Sequence, residues 1–455
     1  MTTNSTTVVQ ATVKEINQFV EHFKQNVEPN ESDQPQWLFN LRRHALEQFV
    51  DTGFPDQTDE DWRFTNISPL TKLRYKYPIK PAAEDLPSDI LNNLPLAKIP
   101  ANLLVFVNGY FINELSNIIE QPANGGYIGS LENFIARDSD ILKSIFDASG
   151  VELNDAFSAL NTALFKDGAL IYIPRGTTLA HPIHIANILF AKESAIVATP
   201  HHIITVGERS AATIYETYSS YYPDTSAFTN AFTRVYAGED SVVEQIRCQI
   251  ENTGSFNIGS TITQISARAN FSSHSIALGS KISRHTIKSK LNGEGIESIF
   301  NGVYVASDSQ LNDHHLVVEH LKPRCASHEY FNGILSDKAR GVFHGKIYVY
   351  PDAIKTDAKQ TNKNLLLSDN AIVNSEPQLE IYADDVKCTH GATVGRLDEN
   401  AIFYLRSRAI PAHKARQMLI YAFASENLEF IKDTVAKNEI EQILNNWLQN
   451  HLVNL

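Results

Sequence analysis

The sequence predicts a mainly β protein: a strand-rich core over residues 168–395, preceded by a mainly helical N-terminal region with a linker (1–167) and followed by a C-terminal helical domain (396–455). Three observations carry this. Between about Gly168 and Gly395, short β-branched runs of alternating polarity follow one another, separated by Gly, Asn, Asp and Ser. On either side, apolar residues recur at three- and four-residue steps instead. And 455 residues exceed what one ordinary core organises, so two or three structural regions are expected.

In 12–27, Ile16, Phe19, Val20 and Phe23 form one apolar stripe, and in 36–50 Leu38, Leu41, Leu46 and Phe49 form another, as two packed helices require. Gly53-Phe54-Pro55 ends the second. In the segment Asp59-Glu60-Asp61-Trp62-Arg63-Phe64 that follows, the Trp62 indole is expected to anchor these helices to the core. Five prolines between 78 and 101 mark a connecting loop. Residues 103–111, LLVFVNGYF, read as a short strand entering an Asn-Gly turn, and helical patterns return at 130–147 and 152–166.

The core reads as strands such as ALIYIP, HHIITV, AATIYETY, SVVEQIRCQI, GVYVAS, GKIYVY and LEIYAD. Strands at this spacing permit a sandwich, a barrel or a solenoid, and no strict fixed-length repeat is visible, which counts against a solenoid of rigid period. The polar stretch Thr356–Asn364, TDAKQTNKN, reads as a coil turn whose Asn and Thr side chains satisfy backbone groups. His201-His202 and His314-His315 lie in strand-like runs, where neighbours point to opposite faces, so neither doublet chelates through both rings. They are read as hydrogen-bonding histidines and Cys248 as a packed strand thiol. His320, Cys325 and His328 are near in sequence, but Pro323 intervenes, and a metal role is not expected of them.

Cys388 and His390 lie two residues apart where strand-like sequence becomes helical. In an extended segment i and i+2 project on one side, and both residues are ligands for soft metals. A structural zinc site wants four ligands, and no second pair stands at a conventional distance. Alone, the pair therefore fits a half-buried cysteine beside a hydrogen-bonded histidine better than a metal centre. Asp398 is placed to cap a helix ending near Arg408, and Pro411 to open a second along which Ala415, Met418, Leu419, Ala422 and Phe423 form a stripe. Ile440, Ile443, Leu444, Trp447 and Leu448 predict an amphipathic closing helix over 439–452.

With 52 acidic and 39 basic residues, a net charge of −13, the surface is unsuited to nucleic acid. Apolar residues at 43% and charged residues at 20% are ordinary for a globular protein. Three cysteines far apart argue for reduced thiols, and the N-terminus shows neither an apolar export region nor an arginine-rich amphipathic one, so a cytoplasmic location is expected. No run of about 18 apolar residues occurs, so no membrane span is expected. Gly341-Val-Phe-His-Gly345-Lys346-Ile347 lacks the spacing and the hydroxyl of a phosphate loop, and Gly293-Glu-Gly295 lacks a third glycine, so the chain is not expected to bind ATP or a dinucleotide itself. Hydrolase signatures are missing too, and no enzyme activity is expected.

The run from Ala339 to Gly395, ARGVFHGKIYVYPDAIKTDAKQTNKNLLLSDNAIVNSEPQLEIYADDVKCTHGATVG, resembles the core of the SufB/SufD family of iron–sulfur cluster assembly proteins. The similarity continues through 397–424 and upstream through 320–325 and 293–304. The glycine in Thr389-His390-Gly391-Ala392-Thr393-Val394-Gly395 is similar to the SufD branch, since SufB-type chains usually carry an acidic residue there.

This resemblance implies a right-handed parallel β-helix flanked by helical domains, and a non-catalytic scaffold subunit of a SufBCD complex. It implies pairing with SufB through β-helix edges, with a homodimer as the alternative for the isolated chain. It implies docking of the ATPase SufC on the C-terminal helices, in the region of Arg406, Arg408, Pro411, Met418, Leu419 and Phe423. His390, with Cys388 second, is the expected contribution to iron or a nascent iron–sulfur cluster shared with SufB, which supplies the remaining ligands. A flavin is associated with the family's assembled complex, and no motif here localises one. The rival readings are a purely structural adaptor that stabilises SufB, and a carbohydrate-active β-helix enzyme, for which Asp384-Asp385 with Lys387 is the only dense candidate cluster.

Overall fold

The N-terminal stripes bury themselves as their spacing requires. In the computed structural model, which describes residues 3–148, 155–192 and 195–451, they form α1 (Thr3–Asn26) and α2 (Gln36–Thr52). Phe19, Phe23 and Phe49 pack in one cluster with Trp62 and Phe157. Gly53, at φ 71°, stops α2 and returns its N–H to the Phe49 carbonyl. Trp62 anchors the region: its ring lies 5.2 Å from Phe157, and the Arg284 guanidinium covers it at 3.9 Å. The short α3 (Ser68–Thr71) follows, then α4 (Leu131–Arg137), α5 (Ser139–Ala148) and α6 (Ala156–Leu164) after the linker. Residues 152–154 of the expected helix, and Leu452 of the closing one, lie outside the described residues.

β1 (Asn102–Val107) and β2 (Tyr110–Phe111) form the expected hairpin, with positive φ at Asn108 (53°) and Gly109 (84°), as a type I′ turn needs. β1 then pairs in parallel with β5 (Ile183–Leu189), so the solenoid wall begins upstream of residue 168, within the N-terminal region. The other early strands are β3 (Tyr127–Ser130), β4 (Ala169–Ile173), β6 (Ile196–Ala198) and β7 (His201–Val206). One wall continues through β8 (Ala211–Ser220), β10 (Val242–Gln249), β12 (Asn270–Ala277), β14 (Glu297–Ala306), β16 (Ala326–Leu335), β18 (Asp357–Leu366) and β20 (Lys387–Gly395). The other runs through β9 (Ala227–Ala237), β11 (Phe256–Ile265), β13 (Ile282–Leu291), β15 (Leu311–His320), β17 (Arg340–Val349) and β19 (Ile372–Ile381).

Alternate strands thus build two ten-stranded sheets, mostly parallel, and the architecture is the β-helix flanked by helices. Its period is real but elastic. Val242 pairs with Asn270, Asn270 with Glu297, Glu297 with Ala326, Ala326 with Asp357 and Asp357 with Lys387, so successive turns are 28, 27, 29, 31 and 30 residues long. Turns between the strands absorb the variation, which is why no fixed-length repeat shows in the sequence.

The stretch 356–364 is not a coil turn. Only Thr356 lies in the turn, and from Asp357 the chain is β18. Alternation sends Ala358, Gln360, Asn362 and Asn364 into the interior, where the amides bond one another and the walls: Asn364 Nδ2 to Asn362 Oδ1 at 2.6 Å, Asn362 Nδ2 to the Phe331 carbonyl at 3.0 Å, and Gln360 Nε2 to Glu329 Oε2 at 2.5 Å. Mutual satisfaction lets polar residues occupy a buried strand that composition reads as loop.

The C-terminal chain folds as α7 (Glu399–Ser407), α8 (Ala412–Ser425) and α9 (Thr434–His451), with Asp398 accepting from the Asn400 N–H as a cap. On α9, Ile440, Leu444 and Leu448 are buried against Ile246, Ile276 and Val303 of the first wall. On α8 the expected stripe is rotated: Ala415, Ile420 and Ala424 face inward, Leu419 and Phe423 are half-buried, and Met418 and Ala422 are exposed. Among the described residues, no helix is long and apolar enough to cross a membrane.

Candidate functional site

The last turn of the solenoid leaves two strand edges bare. β20 pairs only with β18 and β19 only with β17 among the described residues. β19 even carries Pro377, which a sheet tolerates at an edge. Most of β20 is exposed. Bare edges are pairing templates that folded proteins usually cover.

On this turn the two sequence-predicted donors share a face. Cys388 stands beside Ala358, and His390 beside Gln360, both inward-facing residues of β18. The thiol is half-buried against a small apolar cluster that includes Ile347, Val349 and Ala383, whereas the His390 ring is exposed. Burial, and secondarily the charge of Asp357, push the Cys388 thiol above its ordinary value. It is therefore a neutral thiol at pH 7, and a soft cation binding it has to displace a proton. A thiol and an imidazole two residues apart supply two ligands, so an iron ion or a cluster here needs further ligands.

The other predicted region lies on the helices that leave this turn. Arg406, Arg408 and Pro411 are exposed, with the Arg408 guanidinium 4.5 Å from the Tyr404 ring centre. Met418 is 49% exposed, and beside it the sequence reading missed Phe403 (71%) and Tyr404 (55%). A signal existed. On α7 only Ile402 is buried, so the aromatic pair that follows it turns outward.

Several of the other thiols and histidines singled out in the sequence sit in packing or hydrogen-bond contacts. The Cys248 thiol is buried and pushed up to about 12 by that burial. Cys325 donates to the Gly293 carbonyl, and His320 Nε2 lies 2.8 Å from Ser327 Oγ. His201 meets Asn161, and His202 Nδ1 accepts from the Ala169 N–H. His314 turns inward to Ser275, while His315 faces the opposite way, toward Asp61.

Comparison with known proteins matches this architecture. The model of the SufBD core domain of the SUF system for iron–sulfur cluster assembly matches residues 189–423, and that of the SufBD N-terminal region matches residues 13–185. The iron–sulfur cluster assembly protein SufD of Escherichia coli is 34% identical over 397 residues, 87% of this chain and 89% of that one. A SufBD-family iron–sulfur cluster assembly protein of Synechocystis is 32% identical over 403 residues, 87% of each chain. SufD of Bacillus subtilis is 28% identical over 405 residues, 86% of this chain and 89% of that one. With matches that run from the first helices through the last turn and into α8, the chain belongs to the SufBD family of iron–sulfur cluster assembly proteins.

Proposed function

We propose that this chain is a non-catalytic scaffold subunit of a cytoplasmic SufBCD-type complex, paired with SufB through the bare edges of β19 and β20. One observation carries the reading: a thiol and an imidazole share one face of a solenoid end that no other strand covers among the described residues. Strand addition at such an edge covers the backbone groups and brings a second chain's ligands to His390 and Cys388. SufC docks on the outward face of α7 and α8, where Phe403, Tyr404 and Met418 stand exposed. ATP-driven association of two SufC copies would pull on these helices and open the SufB interface, a two-state element biased by nucleotide. Iron or the nascent cluster is cargo here, and this chain alone holds it poorly.

The test is His390→Ala in the assembled complex, with iron and sulfide content measured after reconstitution. Loss of most of the bound iron with SufB and SufC still co-purifying supports the ligand role. Normal iron content and cluster maturation make the chain a structural adaptor. Failure of the unmodified chain to capture SufB and SufC from native cytosol refutes the complex itself.

A further inference from the structure

β15 and β17 are neighbouring strands whose register sets His315 directly beside His344. Their rings stack with centroids 4.3 Å apart and planes within 17°. The His315 side chain is 3% exposed and that of His344 7%, yet both line a surface cleft together with Asp61, Lys288, Glu319 and Lys346. Asp61 comes from the far N-terminal segment, and its placement is fixed. Arg284 bonds the buried Asp313 carboxylate, donates to the Asp61 carbonyl at 2.8 Å and covers the neighbouring Trp62 ring.

The three groups converge. One donor atom from each of Asp61, His315 and His344 lies within 4.8 Å of the others, and no other such group of three or more His, Cys, Asp or Glu occurs among the described residues. His315 Nε2 and Asp61 Oδ1 are 3.8 Å apart. That is too long for a hydrogen bond, but close to the edge, about 3.4 Å, of a tetrahedron around an ion with bonds of about 2.1 Å. His315 Nδ1 is buried without a hydrogen-bond partner, so hydrogen bonding does not explain why this imidazole is desolvated here. Behind His344, Glu376 Oε2 lies 3.8 Å from Nδ1, on the side from which a carboxylate supports a metal-bound imidazole but beyond hydrogen-bond distance.

The cleft carries a surplus of carboxylates. Lys346 is paired with Glu380 and Lys290 with Glu319, which leaves Glu60 and Asp61, with Glu376 behind His344, against Lys288.

We propose that Asp61, His315 and His344 form a binding site for a first-row divalent transition-metal ion of the zinc or ferrous class, with water in the remaining positions. Two imidazoles and one carboxylate suit such an ion better than a hard alkaline-earth ion, which takes oxygen ligands. The site stands on the opposite wall from His390 and Cys388 and does not depend on a partner chain. Because it ties the N-terminal segment to two solenoid turns, metal stabilises their docking.

The test uses the full-length chain carrying Cys388→Ala and His390→Ala, titrated with Co²⁺ alone. One equivalent is expected to bind with visible d–d absorption, without thiolate charge-transfer bands, and to be displaced by Zn²⁺. Asp61→Asn, at an exposed position, leaves the fold intact and weakens binding at least tenfold, as does His344→Ala. Absence of saturable Co²⁺ binding up to millimolar concentration overturns the proposal. So does binding that neither substitution weakens.

Discussion

Asn301 donates to Asn427 across the joint between solenoid and C-terminal helices, and Asn427 donates back to the same wall. Asn301 Nδ2 donates to the Asn427 carbonyl at 2.7 Å, and Asn427 Nδ2 donates to the carbonyls of Gly302 at 2.6 Å and Tyr330 at 2.9 Å. Both side chains are buried. The neighbouring Phe430 ring stacks on Tyr330 with centroids 4.4 Å apart, and the Tyr215 hydroxyl donates to Asp433. Force applied to α8 is therefore delivered to β14 and β16 rather than lost in a loose linker.

Asn427→Ala removes two buried hydrogen bonds, a loss of about 2 kcal/mol. Hydrogen exchange should show amides of α8 and α9 opening about 10- to 30-fold faster, with strands far from the joint, such as β11, unchanged. Uniform acceleration throughout the chain would mean that the helices do not move as a separate unit.

Phe403→Glu is expected to abolish capture of SufC while leaving the thermal midpoint nearly unchanged. The side chain is 71% exposed, so its replacement alters stability by no more than about 0.5 kcal/mol. If the ring is buried by a partner, its loss removes about 2 kcal/mol of binding, and a carboxylate adds a desolvation cost. Unchanged co-purification of SufC would place docking elsewhere on the helices.

Much of this organisation was legible in the sequence. The stripes of α1, α2 and α9, the Asn108-Gly109 hairpin and the Asp398 cap follow from local rules that tertiary structure did not override. The solenoid itself was not legible from periodicity, because its turns vary from 27 to 31 residues along the wall from β10 to β20. The resemblance supplied it. β18 was misread because its interior asparagines bond each other and the neighbouring wall, a pairing that only the fold creates. Asp61 with His315 and His344 was invisible for a similar reason: the three come together only when strand register aligns two histidines and Arg284 pins the N-terminal segment over them.

The three thiols differ in reach, which alkylation can read. Cys248 and Cys325 are buried, and Cys388 is half-buried. Iodoacetamide on the native chain should modify Cys388 first. Burial raises its pKa, so the rate at pH 7 falls below that of a free cysteine and climbs as pH rises past 9. Binding of SufB at the β20 edge should suppress the reaction. Equal labelling of all three thiols in the folded chain would contradict this arrangement.

Glu329 gives the fold an opposite dependence on pH from that of its buried histidines. It is fully buried on β16, and burial pushes its carboxyl up to about 8 against a weaker opposing effect of the Gln360 hydrogen bond. Glu329 Oε1 and Gln360 Oε1 are both buried and unpartnered, so a proton on Glu329 has an acceptor of the right kind beside it. Between the ordinary value near 4.5 and about 8, the folded chain keeps a proton that the unfolded chain has released. Stability from this group is thus fully present below 4.5 and is lost as pH rises through 8. His184 and His314, lowered by burial to about 3, act the other way and cost stability as pH falls below 6.5. Glu329→Gln keeps a donor toward Gln360 but cannot ionise. Denaturation of both proteins from pH 4 to 9 should give curves that meet in acid and separate above pH 5, with the variant more stable by a few kcal/mol at pH 9. The histidines are common to both proteins and cancel in the difference, so parallel curves would show that Glu329 is already ionised in the folded core.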